Sequence, residues 1–258
     1  MLIDTHCHFD FAPFSPVDAH LARAAQAGVS RIVIPAIGEQ NWQHLATLAS
    51  QHDALYFGLG IHPVFMPEDP QTAVAALTAQ LALAHPKCIA VGECGLDFFA
   101  ATEYAARDVQ VEVLTQQLRL ANQFDLPVLL HCRKAFNELV QLLKRNPVQQ
   151  AGIYHAFSGS YQQGCQLVDM GYKLGIGGTI TYERAKKTRD AVRRLPLDAL
   201  VLETDAPDMP LSGYQGDTNH PAQLPLIVTA LAQIKSCTEV KIVEECRQSS
   251  LEVFALMR

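Results

Sequence analysis

Leu2-Ile3-Asp4-Thr5-His6-Cys7-His8 stands almost at the start of the chain. Leu2-Ile3 is apolar and Asp4 to His8 are largely polar, so the stretch reads as a short first β-strand running into a loop. Side chains alternate faces along extended backbone, so His6 and His8 point one way and Cys7 the other. Two imidazoles on one face, a few ångströms apart, can hold one metal ion. The plain alternative is two polar residues in a strand-end loop, and an isolated His-x-His favours that reading. The decision rests on whether the rest of the chain supplies further ligands.

Outward from this stretch, short apolar runs alternate with amphipathic ones along the whole chain. Strand-like runs fall at 2–5, 31–37, 55–61, 88–91, 127–130, 152–154, 172–176 and 199–202. Apolar residues at helical spacing fall at 17–27, 41–50, 70–84, 106–124, 134–144, 161–170 and 183–195, with closing helices at 224–235 and 240–256. Most strand runs are continuously apolar, as expected when both faces are buried. The pattern predicts a single (β/α)8 TIM barrel filling residues 1–258 as one domain. A doubly wound open sheet is the competing solution. It usually carries a glycine-rich phosphate loop after the first strand, where this chain has His-x-His.

The bulk properties agree. Of 258 residues, 49% are hydrophobic, enough for a sizeable core, and the formal charge of −6 gives no broad basic face for gripping duplex nucleic acid. Seven cysteines include no C-x-x-C pair, which fits free thiols in a reducing cytoplasm rather than a disulfide framework. No signal sequence and no long apolar run is present, so no membrane association is expected. A monomer is the default.

In a (β/α)8 barrel the chemistry sits at the C-terminal ends of the strands. Those ends carry His6 and His8 after strand one, His62 after three, Glu93 after four, His131 after five, His155 after six and Asp205 after eight. Each has a dull reading alone: His62 beside Pro63 as a loop residue, Glu93 as a cap, Asp205 as a turn former, His155 as a core histidine. Together they concentrate metal-ligand types at one predicted face. Nitrogen and carboxylate dominate. Cys7, Cys94 and Cys132 each adjoin a proposed ligand, and alternation turns them away as packing residues. His6, His8, His131, His155, Glu93 and Asp205 exceed what one four-coordinate ion needs. The surplus points to two divalent ions, with Glu93 between them. His6, His8 and Asp205 then complete one shell, and His131 and His155 the other. Paired ions activate water and stabilise attacking and leaving oxygens. Asp205 is also placed to take the proton of the attacking water as general base. Zn, Ni or Mn suits nitrogen-rich ligation, and Mg is open on availability.

With these residues in view, the chain resembles the TatD family of metal-dependent hydrolases, within the amidohydrolase-type barrels. The motifs are DTHCHFD at 4–10, GIHP at 60–63, GECGLD at 92–97, HCR at 131–133, HAFSG at 155–159 and LETDAP at 202–207. FDF at 9–11, GGTITY at 177–182 and DMPL at 208–211 are most similar to its bacterial YjjV-like branch. The resemblance implies the same six metal ligands, with Glu93 where many amidohydrolase relatives have a carboxylated lysine. It also implies metal-dependent deoxyribonuclease activity, in some members from a 3′ end. It makes His62 and Arg133 candidate contacts for substrate phosphate, Arg133 offering a donor fork. Asn219 stands where the family has an Asn-x-Pro element. The chain departs at Thr218, which replaces an arginine, at Cys94, where aliphatic residues are commoner, and at Ser249, near a family asparagine.

The leading expectation is therefore a metal-dependent phosphodiesterase, a DNase acting on 3′ ends or single strands. The alternative keeps the barrel and hydrolyses a small ester, lactone or amide. A third class, a metal-stabilised interaction scaffold, requires a closed coordination sphere. Phe9, Phe11, Phe65, Phe98 and Phe157 lie near the proposed site and read as base-stacking or, more simply, loop-packing residues.

Overall fold

The structure, a computed structural model, describes residues 1–99 and 106–257. They form the (β/α)8 class, a parallel eight-stranded sheet in the order β1 to β8 with helices between strands. By contacts the chain divides into two compact units, Met1–Ile34 with His155–Glu252, and Pro35–Tyr154 with Val253–Arg258.

The first unit holds β1 (Leu2–Asp4), α1 (Val17–Gln26) and β2 (Val29–Ile34). It also holds α6 (Tyr161–Val168), β7 (Lys173–Ile176), α7 (Lys186–Arg194), β8 (Leu200–Leu202), α8 (Leu224–Lys235) and α9 (Glu239–Val253). β1 pairs in parallel with β2, and β7 with β8. The backbone N–H and the hydroxyl of Thr5 both donate to Leu202 O at 3.0 Å, which sews the end of β1 to the end of β8. A capping box starts α6: the Ser160 hydroxyl accepts from Gln163 N–H and the Gln163 amide oxygen accepts from Ser160 N–H.

The second unit holds α2 (Glu39–Gln51), β3 (Leu55–Leu59), α3 (Pro70–Ala82), β4 (Cys88–Asp97), α4 (Arg107–Gln123), β5 (Val128–Arg133), α5 (Phe136–Arg145) and β6 (Ile153–Tyr154). Asp69 caps α3, its carboxylate accepting from Gln71 and Thr72 N–H, with Pro70 at the first helical position. β4 and β5 are longer than the apolar runs that mark them. Both continue through polar residues that the apolar runs alone place in loops, so Glu93, Asp97, His131 and Arg133 are strand residues. The apolar signal stops earlier because one face of each strand end carries chemistry instead of core.

β4 carries a bulge between Val91 and Cys94 in its pairing with β5, and Glu93 lies inside it. Gly95 makes the close approach possible: its φ is +156°, and a Cβ there would lie 2.0 Å from His131 O. The strands are otherwise packed as a dry core. Leu129, Leu130, Val128, Val91 and Ala90 are fully buried in the second unit, as are Leu174, Leu200 and Val201 in the first. Truncating one such leucine to alanine costs about 2–5 kcal/mol, so the strand ends that present the polar residues are rigidly held.

Candidate metal centre

In the first unit the polar residues are organised by Asp4, which is fully buried. Its Oδ1 accepts the backbone N–H of His6 at 3.3 Å and of Thr204 at 3.0 Å, and its Oδ2 accepts the Thr204 hydroxyl at 2.6 Å. Burial pushes its pKa up to about 7 against the opposing pull of those donors. Asp4 thereby binds the loop after β1 to the loop after β8. Across that junction Asp205 N–H donates to His6 O at 2.9 Å. Asp205 Oδ1 lies 3.5 Å from His6 Nε2 and 3.9 Å from His8 Nε2. The ring of His155 stacks on that of His6, centroids 4.0 Å apart and 9° from parallel. Asp205 has φ +55° and Ala156, next to His155, has φ +48°. Such left-handed backbone costs a non-glycine residue about 1 kcal/mol or more and is held by the surrounding hydrogen bonds.

Sequence reasoning misses Glu203. Its side chain is fully buried, Oε1 accepts Ala156 N–H at 2.6 Å, and Oε2 has no hydrogen-bond partner among the described residues. Burial raises its pKa to about 8, opposed by the charge of His155. Ligand atoms of His6, His155 and Glu203 lie within 4.8 Å of one another. The carboxylate is admitted only because residue 175 is glycine: a Cβ there would sit 2.0 Å from Glu203 Oε2.

In the second unit the corresponding cluster is His62, Glu93 and His131, whose ligand atoms again lie within 4.8 Å of one another. Glu93 is 1% exposed. Its Oε1 is 3.4 Å from His62 Nε2 and 3.0 Å from His131 Nδ1. His62 Nδ1 accepts Val64 N–H at 3.1 Å, so a neutral His62 carries its proton on Nε2 and presents it to Glu93. His131 Nε2 faces Asp97 Oδ2 at 3.3 Å. A neutral imidazole has one N–H, so the ring either donates to Asp97 and leaves the Nδ1 lone pair toward Glu93, or the reverse.

Two glutamines of α4 hold this cluster. Gln110 bridges both backbone groups of Asp97: Oε1 accepts its N–H at 2.8 Å and Nε2 donates to its O at 3.1 Å. Gln117 does the same for Ile61, the residue before His62, at 2.8 and 3.1 Å. Both are buried. Their spacing of seven is the only sequence signal, two polar residues on an otherwise apolar helix face. Arg133 ends β5, exposed, with its guanidinium carbon 3.9 Å from the centroid of the Phe99 ring.

Of the adjoining cysteines, Cys7 and Cys94 are fully buried and donate their thiols to Ala206 O and Leu129 O. Cys132 is half-buried, its thiol pushed up to about 11 by desolvation. Asn219 is fully buried. Its amide donates to Thr204 O, Asp208 O and Met209 O at 2.8, 2.9 and 3.2 Å, and its Oδ1 accepts His220 N–H at 2.8 Å. The structure thus places this expected substrate contact as a clamp on the loop that carries Asp205.

Both clusters fit divalent cations. Each offers imidazole nitrogen and carboxylate oxygen from largely buried side chains, His131 Nδ1 and Glu93 being the donors in the second, with His62 beside them. In the first, a buried carboxylate oxygen without a hydrogen bond is the kind of group that a cation satisfies. These features define a metal-dependent hydrolase on a (β/α)8 scaffold. The family model described as TatD related DNase matches residues 3–255, and the chain belongs to the TatD family. It is 46% identical over 234 residues, 90% of each chain, to the uncharacterized metal-dependent hydrolase YjjV of Escherichia coli K12. It is 40% identical over 241 residues, 90% of this chain and 91% of the other, to an uncharacterized metal-dependent hydrolase of Haemophilus influenzae. The crystal structure of YjjV superposes with a TM-score of 0.94 at 42% identity, covering 98% of both chains. A TatD family hydrolase from Entamoeba histolytica shares the fold with a TM-score of 0.88 at 19% identity, over 98% of this chain and 97% of the other.

Proposed function

We propose that this hydrolase cleaves phosphodiester bonds and is a deoxyribonuclease acting on single strands or on 3′ ends, with a divalent ion held at each cluster. The observation that carries the reading is the pair of largely buried imidazole–carboxylate clusters, His6–His155–Glu203 and His62–Glu93–His131, with Arg133 two residues beyond His131 on the same strand. His6, His8, His155 and Asp205 supply ligands in the first unit, joined by Glu203. Glu93 and His131 supply them in the second. Bound there, divalent ions contribute Lewis acidity toward a water and toward phosphate oxygens.

The chain's own residues do the rest. Asp205 accepts the proton of the attacking water. Its hydrogen-bonded, left-handed backbone fixes where its own carboxylate sits. His62 offers its Nε2–H to Glu93 or to a phosphate oxygen seated beside it, and Arg133 offers the fork of donors that matches a phosphate oxygen pair. Asn219 positions the Asp205 loop. Seven cysteines, all free, support a reducing cytoplasmic setting. No helix among the described residues is long and apolar enough to cross a membrane.

Asp205→Asn tests this reading. The amide keeps the side-chain shape but removes both the base and an anionic ligand, so at matched metal occupancy single-stranded DNA binding should persist while turnover falls by about 10²–10⁴-fold, the usual worth of a positioned general base. Loss of less than fivefold would remove Asp205 from the role.

A further inference from the structure

Most aromatic rings on the loops after the ligand-bearing strands are consumed by packing. Phe9 and Phe157 are buried, and Phe98 is half-buried under the Arg107 guanidinium, 4.6 Å away. Phe99 is different. It is 59% exposed although it stands two residues beyond Asp97. Its backbone is anchored, with its N–H donated to Asp97 Oδ1 at 3.0 Å. Asp97 is in turn held by Gln110 and faces His131. The exposed ring is thus fixed to the same carboxylate that contacts a candidate ligand.

Arg133 covers part of that ring, 3.9 Å from its centroid. Asp97 and Arg133 are register partners on β4 and β5, which sets the ring and the guanidinium side by side. A guanidinium resting on an aromatic ring keeps the N–H edge of its fork available for phosphate. Arg133 and His131 are two apart on one strand, so they share a strand face. A phosphate held by Arg133 would therefore have both the strand face of His131 and the Phe99 ring as neighbours.

We propose that Phe99 and Arg133 form a nucleotide subsite, the ring stacking one unpaired base and the guanidinium gripping the adjoining phosphate. The proposal rests on the phosphodiesterase reading and deepens it by naming the residues that take one nucleotide, Phe99 for its base and Arg133 for its phosphate. A duplex interior keeps both faces of its bases stacked and has none to offer a side chain. A frayed or single-stranded end does. Recognition through a π-face is indifferent to base identity.

Steady-state cleavage of short single-stranded DNA oligomers tests this, using the metal-loaded full-length protein. One oligomer carries normal nucleotides throughout; others carry an abasic residue at one end, at the other, or at both. Stacking predicts that kcat/KM drops about tenfold or more when the base at the recognised end is missing. Phe99→Ala should collapse that ratio to below about twofold and Phe99→Trp should keep it. Leu83→Ala, at another exposed apolar residue of the same unit, should also keep it. A terminal 2-aminopurine should lose fluorescence on binding to the wild type and not to Phe99→Ala. Equal cleavage of normal and abasic oligomers, or a full ratio in Phe99→Ala, would overturn the subsite and leave the phosphodiesterase reading standing. Absence of cleavage of every oligomer under every divalent ion would overturn both.

Discussion

Asp97→Asn is the most informative single change, because it alters one hydrogen-bond polarity and little else. In the native protein Asp97 Oδ2 lies 3.3 Å from His131 Nε2, and Oδ1 accepts Phe99 N–H at 3.0 Å. Both neighbouring carboxylates can only accept, so once a cation beside Glu93 takes the Nδ1 lone pair the proton sits on Nε2, facing Asp97 Oδ2. In the asparagine variant the Phe99 N–H retains the amide oxygen as acceptor, which turns the NH2 group toward His131. Nε2 then becomes the acceptor and the proton moves to Nδ1. There it donates to Glu93 Oε1, 3.0 Å away, a contact that satisfies the metal-free protein and competes with metal. Carboxylates behind ligating histidines are typically worth 10–100-fold in affinity, about 1.4–2.7 kcal/mol. Calorimetric titration of the stripped protein reads the affinity, and nitrogen-15 correlation spectra of the imidazole read the tautomer. Because Gln110 holds Asp97 through its backbone, the fold should survive. An affinity within twofold of wild type, with the proton still on Nε2, would refute the reasoning.

Other consequences rest on the same geometry. Gly175→Ala drives a methyl group into Glu203 Oε2, so metal affinity at the His6–His155–Glu203 cluster should fall more than tenfold while binding at the His62–Glu93–His131 cluster is retained. Overpacking of about 1–3 kcal/mol should lower Tm by about 2–10 °C. Equal loss at both clusters would contradict the assignment. His220 is buried, and desolvation, with Arg23 and His20 nearby, holds its pKa down at about 4 from an ordinary 6.5. The native state therefore stays neutral where the unfolded chain takes up a proton. Its contribution is constant above pH 6.5, is lost as pH falls from 6.5 to 4, and levels off below that. The Tm advantage of wild type over His220→Asn should shrink between pH 7 and pH 4.5, and an unchanged gap would count against the buried neutral ring.

Strand ends are more legible in the sequence than the residues that support them. His6, His8, Glu93, His131, His155 and Asp205 stand out because each polar residue interrupts or follows an apolar run at a predicted C-terminal end. Glu203 follows the run 199–202 directly, yet its position does not distinguish a buried ligand candidate from an ordinary strand-end residue. Its burial depends on Gly175, 28 positions earlier, and no local pattern records that contact. Asp97 reads as a loop residue because the apolar run ends at Val91, whereas the bulge at Glu93 and the close approach at Gly95 carry β4 on to Asp97. Gln110 and Gln117 share the apolar face of a long helix, but that spacing does not say what they bond. Only the fold brings them onto the backbone of Asp97 and Ile61. Asn219 is legible as a motif residue, but its geometry is that of a loop clamp.

Phosphodiester hydrolysis by two metal-holding clusters requires that activity track metal occupancy. Metal-stripped protein, titrated with Mn²⁺ while nucleotide release from a single-stranded DNA oligomer is followed, tests that requirement most directly. Release should be negligible without metal, rise with added ion and saturate as the second ion per chain binds. Release that is independent of metal, or its absence at full occupancy, would contradict hydrolysis by these clusters.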